Sequence, residues 1–183
     1  MEKRNVLFVM SSLRNGGAER SLVNLLQLLD YDRYNVDLLL FQNEGMFLKQ
    51  VPKAVNIISN CNKLYTLYDN NKAEALKHPY LSAIHMIGTF ISRKKTNSVA
   101  KSRQYRWEHF YKKIVPELTK EYDVAIAYMQ REQTYFLVDK VKAAKKIAWV
   151  HNEYSQLGHF KEMDLEYFEK VDNDTGLYSI RRN

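Results

Sequence analysis

The sequence has a single cysteine, Cys61, so no disulfide can form within the chain. Because protein thiols stay reduced in the cytoplasm, this composition favours a cytoplasmic location. No stretch of the sequence approaches the roughly 20 apolar residues that a membrane-spanning helix needs. The apolar run at residues 6–10 is too short for the core of an export signal, and no small-residue cleavage site follows it.

Known ligand-binding fingerprints are missing as well. The glycine pair Gly16 and Gly17 fits neither the G-x-G-x-x-G motif of dinucleotide-binding folds nor the G-x-x-x-x-G-K-[ST] phosphate loop. A dinucleotide-dependent oxidoreductase is disfavoured, since a convincing ribose-binding acid after the second predicted strand is also lacking. The chain contains no recognisable nucleic-acid-binding module, and no nucleic-acid partner is expected.

The positive charge of the chain is concentrated in one segment. The formal net charge is +7, and residues 93–113 hold eight basic residues against one acidic residue, Glu108, so the remainder is neutral overall. Aromatic residues are interleaved with these cations, which is typical of surfaces that bind anionic membranes or nucleic acid, although a solvated helical face is the simpler alternative. In the membrane interpretation, which the residues alone leave open, Trp107 lies at headgroup depth. The residues predicted to contact the anionic membrane surface are Arg93, Lys94, Lys95, Lys101, Arg103, Arg106, Trp107, Lys112 and Lys113.

Five short apolar segments have the pattern of strands that are buried on both faces. They lie at residues 6–10, 34–41, 54–59, 122–129 and 145–150. Amphipathic stretches at 18–29 and 131–144 are predicted to be helices that connect strands. This alternation predicts a Rossmann-like α/β fold, in which helices cover both faces of a mostly parallel sheet.

The middle of the chain, at about residues 62–120, has no strand pattern and is predicted to be a helical insertion. Pro79 stands at a plausible first turn of one helix, whose apolar stripe comprises Leu81, Ile84, Ile87 and Ile91. A second helix is predicted at about 98–120, and Pro116 must bend or interrupt it.

Gly16 and Gly17 lie where the first strand leads into the first helix. The first turn of a helix has unpaired N–H groups and the positive end of the helix dipole, and glycine leaves space for a phosphate to reach them. The alternative is that two glycines make the turn and let helix and strand pack closely. The residues alone leave both interpretations open.

Three segments, taken in order, resemble the family-four glycosyltransferases of the GT-B fold, in particular bacterial capsule and exopolysaccharide enzymes. They are "SSLRNGGAERSLVNLLQLL" at 11–29, "EYDVAIAYMQREQTYFLVDKV" at 121–141 and "KKIAWVHNEY" at 145–154. The resemblance implies two Rossmann-like domains, with the acceptor bound mainly by the first and the nucleotide-sugar by the second. It also implies a UDP- or GDP-sugar donor, a lipid-linked or polysaccharide acceptor, retention of configuration, and no further cofactor.

The resemblance also assigns roles to individual residues. Gly16 and Gly17 match the glycine loop that lies against the donor diphosphate, and His151 matches a histidine at a strand end that faces the cleft as a catalytic group. An imidazole there can hydrogen-bond a sugar hydroxyl or stabilise charge in the transition state. Arg131 and Glu132 follow the fourth predicted strand and are candidates to contact acceptor or sugar, with an ordinary helix-start role equally open.

The end of the sequence departs from the family pattern. We expect an acceptor-side domain over residues 1–172, a tail at 173–183, and no donor-binding domain, so that this chain alone is inactive. The Asp-x-Asp at 172–174 follows no strand, and no metal site is expected there. The expected location is the inner face of the plasma membrane, with a separate donor-binding domain as a candidate partner. A non-enzymatic membrane- or partner-binding module derived from such an enzyme is the alternative.

Overall fold

A computed structural model describes residues 2–58, 64, 67, 68, 76–150 and 161–172. Strands and helices alternate along most of these ranges, as the apolar pattern predicts. In chain order they are β1 (Arg4–Met10), α1 (Gly17–Leu28), β2 (Tyr34–Leu40), β3 (Asn56–Ile58), α2 (Pro79–Lys95), α3 (Val99–Arg106), β4 (Glu121–Ala127), α4 (Glu132–Lys140), β5 (Lys142–Ala148) and α5 (Lys161–Phe168). A 3₁₀ turn, Leu48–Gln50, precedes β3.

The five strands form one parallel sheet in the order β3-β2-β1-β4-β5. β1 is central, and its Val6 lies beside Val36 of β2 and Val124 of β4. The architecture is Rossmann-like, and the predicted fold class is confirmed. The apolar runs predicted the strands because a strand that is covered on both faces needs a continuous run of apolar residues.

Alternate residues of β1 enter two different cores. Phe8 and Met10 pack on the side of α1, with Leu22 and Leu26. Leu7 and Val9 belong to a second cluster on the other face, which is built largely from the helices that follow β3 and β4. Because successive side chains of a strand point to opposite faces, the central strand joins both helical layers.

From residue 76 to residue 114, the described chain between β3 and β4 is helical apart from residue 78 and the turn at 96–98. Pro79 is the first residue of α2, as predicted, and the Ser98 side chain caps α3 by accepting a hydrogen bond from the Lys101 N–H. α3 continues through a π-helical turn, Trp107–Tyr111, into Lys112–Ile114. The helix then stops at Val115, because the residue before Pro116 disfavours helical geometry.

Two details of the predicted helices are wrong. Ile87, assigned to the buried stripe of α2, is 55% exposed, whereas Gly88 is buried. A Cβ atom at Gly88 would stand 3.4 Å from the Phe110 ring, so α2 approaches its neighbour along Gly88. α4 ends at Lys140 instead of residue 144, because the following lysines and alanines form β5. Only one edge of β5 pairs with a strand in the described sheet, and such a strand tolerates polar residues.

Candidate functional site

The candidate site lies between β1 and β4, where the sheet is extended in opposite directions by the strands that follow each of them. β1 is followed by α1 on one face of the sheet, and its neighbour β4 is followed by α4 on the other face. In open parallel sheets this divergence leaves a crevice beyond the carboxyl ends of the two strands, where ligands usually bind. The residues at this edge are those of the loops at 11–16 and 128–131.

The loop after β1 is held in place by the loop after β2. The Leu13 N–H donates to the Glu44 carbonyl at 2.9 Å, and the Phe47 N–H donates to the Leu13 carbonyl at 3.1 Å. The Arg14 Nε donates to the Glu44 carboxylate at 2.7 Å. Gly45 has φ of +128°, and a Cβ atom there would be 1.9 Å from the Leu13 oxygen. Gly45 is therefore required by the close approach of two backbones.

The two glycines that end this loop differ in their surroundings. Gly16 is the N-cap of α1, and a Cβ atom there would lie 2.0 Å from Oε2 of Glu19. Around Gly17, a Cβ atom would have no neighbour within 4 Å. No contact within the described protein therefore requires glycine at position 17. The space above the first turn of α1 is open at that residue.

Hydrogen bonds connect the two sides of the edge. Gln133 Nε2 donates to Ser11 Oγ, which joins the start of α4 to the loop after β1. The hydroxyls of Ser21 and Tyr128 lie 3.0 Å apart, which joins α1 to the loop after β4. These four residues belong to no ligand-binding motif that the sequence predicts. Their position directly after a buried strand, or in the first turns of the next helix, is the signal that would have found them.

Arg131 has an unusual backbone at this edge. It precedes α4 as its N-cap with φ of +78° and ψ of −126°, and the Tyr135 N–H donates to its carbonyl at 3.0 Å. For a residue with a side chain, such a conformation costs about 1–3 kcal/mol. The Arg131 Nε atom is buried and has no hydrogen-bond partner in the described part of the chain. Strain and an unsatisfied donor together mark Arg131 as more than an ordinary helix start.

Glu132 faces the protein interior. It is buried and forms an ion pair with Arg103 from α3. Proximity of the Glu132 carboxylate raises the pKa of Arg103, and burial of the guanidinium opposes this only in part. Of the predicted substrate-binding residues, Gly16, Gly17 and Arg131 lie at this edge, whereas Glu132 anchors the helical segment. His151, the predicted catalytic residue, lies outside the described residues, and its role stays a prediction.

The basic segment divides into buried and exposed parts. Trp107 is fully buried in the core, and its Nε1 donates to Asp139 Oδ2 at 2.9 Å. The expectation that Trp107 lies in a headgroup layer is therefore wrong, since its indole fills space against the helix that follows β4. Lys112 pairs with Asp139 at 3.2 Å, and Arg103 is held by Glu132.

The exposed cations of this segment lie mainly at the end of α2. Arg93, Lys94 and Lys95 are exposed there, and Lys113 is exposed after the π-helical turn. Among the helices in the described ranges, none combines the length and the apolar character that crossing a bilayer requires.

Comparisons of the chain with protein-family models, curated proteins and solved structures find no match. Within the described part of the chain, no group of three or more His, Cys, Asp or Glu side chains is placed to hold a metal ion. The carboxyl edge of the sheet has the glycine loop on one side and Arg131 on the other.

Proposed function

We propose that this chain is the acceptor-side domain of a nucleotide-sugar-dependent glycosyltransferase. The observation that carries the proposal is the open space over Gly17, on the first turn of α1 and beside the switch point between β1 and β4. No contact within the described fold requires glycine at position 17, and the backbone N–H groups of the first helical turn are unpaired there. Such a position allows a diphosphate to approach the backbone closely. The resemblance of three chain segments to family-four glycosyltransferases supports the same interpretation.

In this proposal the carboxyl edge of the sheet supplies positive charge and hydrogen-bonding N–H groups to the diphosphate of the nucleotide-sugar. The first N–H groups of α1 and the guanidinium of Arg131 would stabilise the negative charge that grows on the leaving diphosphate. The Glu19 carboxylate, which lies against Gly16, would move aside when the phosphates arrive. His151 would hydrogen-bond a hydroxyl of the transferred sugar, and a separate donor-binding domain would hold the nucleotide.

We also propose that the domain associates peripherally with the inner face of the plasma membrane, where a lipid-linked or polysaccharide acceptor is reached. The exposed cations Arg93, Lys94, Lys95 and Lys113 support this, because each basic residue near an anionic leaflet contributes about 1 kcal/mol. The same exposed surface is what a non-enzymatic membrane- or partner-binding module would have. Nucleotide-sugar binding distinguishes the glycosyltransferase domain from the non-enzymatic module, because only the glycosyltransferase is expected to bind a nucleotide-sugar.

Calorimetry with UDP-sugars, GDP-sugars and NAD on the isolated chain tests the enzymatic proposal. Because the donor-binding domain is expected to hold the nucleotide, we expect weak binding of one sugar nucleotide, no binding of NAD and no sugar transfer. Gly17→Asp should abolish this binding by bulk and charge at an unchanged melting temperature. Asn24→Asp, which adds the same charge at an exposed position of α1, is the control. Preference for NAD, or equal binding by the Gly17→Asp variant, would overturn the proposal.

A further inference from the structure

A small, partly open cavity lies at the turn between α2 and α3. Its volume is about 320 Å³, and Arg93, Thr96, Asn97, Ser98 and Arg106 are among the residues that line it. None of its described lining residues is acidic. Two arginines thus border one cavity without a carboxylate among its described lining residues, and arginine is well suited to bind a phosphate group.

Arg106 contributes a donor that the fold leaves unused. Its Nη1 donates to Thr89 Oγ1 at 3.2 Å and lies 3.5 Å from Ser102 Oγ, both neutral groups. Its Nε is buried and has no partner among the residues that the structure describes. Arg93, across the cavity, forms no ion pair with a described acidic residue and is exposed. Neither arginine forms an ion pair with a described acidic residue, so their positive charge beside the cavity is available to an anion.

A second cavity of about 530 Å³ borders the first on the exposed side of α2. His85, Met86, Thr89, Phe90, Arg93 and Lys94 line it, so that Arg93 belongs to both cavities. Met86 is 70% exposed and Phe90 is 62% exposed, although both are large apolar side chains. The Lys94 ammonium lies 4.4 Å from the centre of the Phe90 ring. Positions 86, 90, 93 and 94 share one face of the helix, which is apolar at one end and basic at the other.

A ligand that fits both cavities has a negatively charged head and an apolar body. We propose that the cavity between Arg93 and Arg106 binds the phosphate of an anionic phospholipid in a bilayer, while Met86 and Phe90 enter the layer beneath the headgroups. Charge complementarity with the two arginines selects the phosphate, and the neighbouring exposed apolar side chains select a lipid over a free phosphate. This inference rests on the proposed membrane association and adds a specific site to it.

Amide-resolved NMR of the full chain tests the site with three probes: dihexanoylphosphatidylglycerol, dihexanoylphosphatidylcholine and inorganic phosphate. We expect the anionic lipid to shift the amides of residues 96–98 and to bind more tightly than the other two. Arg93→Gln should weaken its binding about tenfold, as expected for loss of a charge-assisted hydrogen bond. Lys113→Gln, an equal change of charge at another exposed position of the basic segment, should change it less than twofold. Equal binding of inorganic phosphate and lipid would overturn the lipid assignment.

Sedimentation with vesicles of equal parts phosphatidylcholine and phosphatidylglycerol separates the site from general membrane attraction. Arg93→Gln and the Met86→Ser, Phe90→Ser double variant should each reduce vesicle binding strongly. Leu28→Ser, which removes an equally exposed apolar side chain from α1, should not. If Arg93→Gln and Lys113→Gln weaken vesicle binding equally, the attachment is diffuse and the site is refuted while membrane association stands. Absence of vesicle binding by the unmodified chain would refute both.

Discussion

The Glu19 carboxylate lies against Gly16 at the N-terminus of α1, so close that a Cβ atom at Gly16 would stand 2.0 Å from Glu19 Oε2. The third residue of a helix commonly reaches back to the N-cap in this way, and its negative charge is favourable beside the positive end of the helix dipole. Here the same carboxylate stands where a phosphate would bind. Its charge is favourable at the start of the helix, and in the proposed function it competes with the ligand.

Removing the Glu19 charge should strengthen ligand binding and slightly weaken the start of α1. We expect Glu19→Gln to lower the melting temperature slightly, since a charge at the dipole contributes about 0.3–1 kcal/mol. The same substitution should strengthen binding of pyrophosphate or a sugar nucleotide several-fold, because the carboxylate no longer repels it. Calorimetry on both forms measures this. Weaker pyrophosphate binding by Glu19→Gln would mean that Glu19 holds the loop for the ligand instead of competing with it.

Gly17 and Gly45 should respond oppositely to the same small change. Gly17→Ala meets open space and replaces glycine in the first turn of a helix, so the free energy of unfolding should stay equal or rise by up to about 1 kcal/mol. Gly45→Ala places a Cβ atom 1.9 Å from the Leu13 oxygen at a φ of +128°, and should destabilise the fold by about 1–3 kcal/mol or more. Urea denaturation compares the two variants. A destabilised Gly17→Ala variant would show that Gly17 is needed by the fold itself.

Strain at Arg131 can be measured with a pair of variants. Arg131→Ala removes the long side chain but keeps the Cβ atom in the unfavourable φ region, whereas Arg131→Gly removes both. The glycine variant should be more stable than the alanine variant by about 1 kcal/mol or more, because only glycine adopts this conformation freely. Equal stability of the two variants in denaturant titrations would argue against strain. Both variants should bind pyrophosphate more weakly than the unmodified chain.

Asp37 should make the fold sensitive to acid. Burial alone would raise the pKa of Asp37, but hydrogen bonds from Asn56, Lys120 and Tyr122 outweigh it, and the pKa lies below its usual value. The donors stand at 2.9, 2.9 and 2.8 Å from the carboxylate oxygens. Because the folded state favours the ionised form, this stabilisation is present above the unfolded-state pKa of about 4 and is lost as the pH falls through the folded-state pKa.

Asp37→Asn is the corresponding variant. It should reduce the free energy of unfolding at neutral pH by about 1–3 kcal/mol, and the difference from the unmodified chain should shrink in acid. Asp32→Asn, at an exposed position, serves as the control and should have little effect. A difference that stays constant between pH values near 7 and 3 would contradict the ionisation argument.

The strands were predictable because their cause is local. An uninterrupted apolar run such as residues 6–10 marks a strand with two covered faces, and the alternation with helices then implies a parallel sheet. The same rule places the starts of α1 and α4 at one edge of the sheet, and with them the four candidates Gly16, Gly17, Arg131 and Glu132. β5 was less accurately bounded, since its first residues are lysines and alanines that carry no strand signal.

The features that the sequence did not predict depend on contacts between residues far apart in the chain or on local backbone geometry. The requirement for Gly45 arises from the Leu13 carbonyl, more than 30 residues earlier in the chain. A tryptophan among basic residues suggests a membrane surface. Trp107 is buried instead, and its indole N–H has a hydrogen-bond acceptor there in Asp139. The positive φ of Arg131 has no sequence signal, since arginine is not typical of that region.

The site of sugar-nucleotide binding can be located by amide-resolved NMR. UDP-sugars and GDP-sugars are titrated into the isolated chain, with NAD as the competitor class. One sugar nucleotide should shift the amides of residues 16–19 and 131–133 together, at the carboxyl edge of β1 and β4, while NAD leaves them unchanged. Shifts confined to other surfaces, or equal shifts with NAD, would contradict the assignment of this edge to a glycosyltransferase donor.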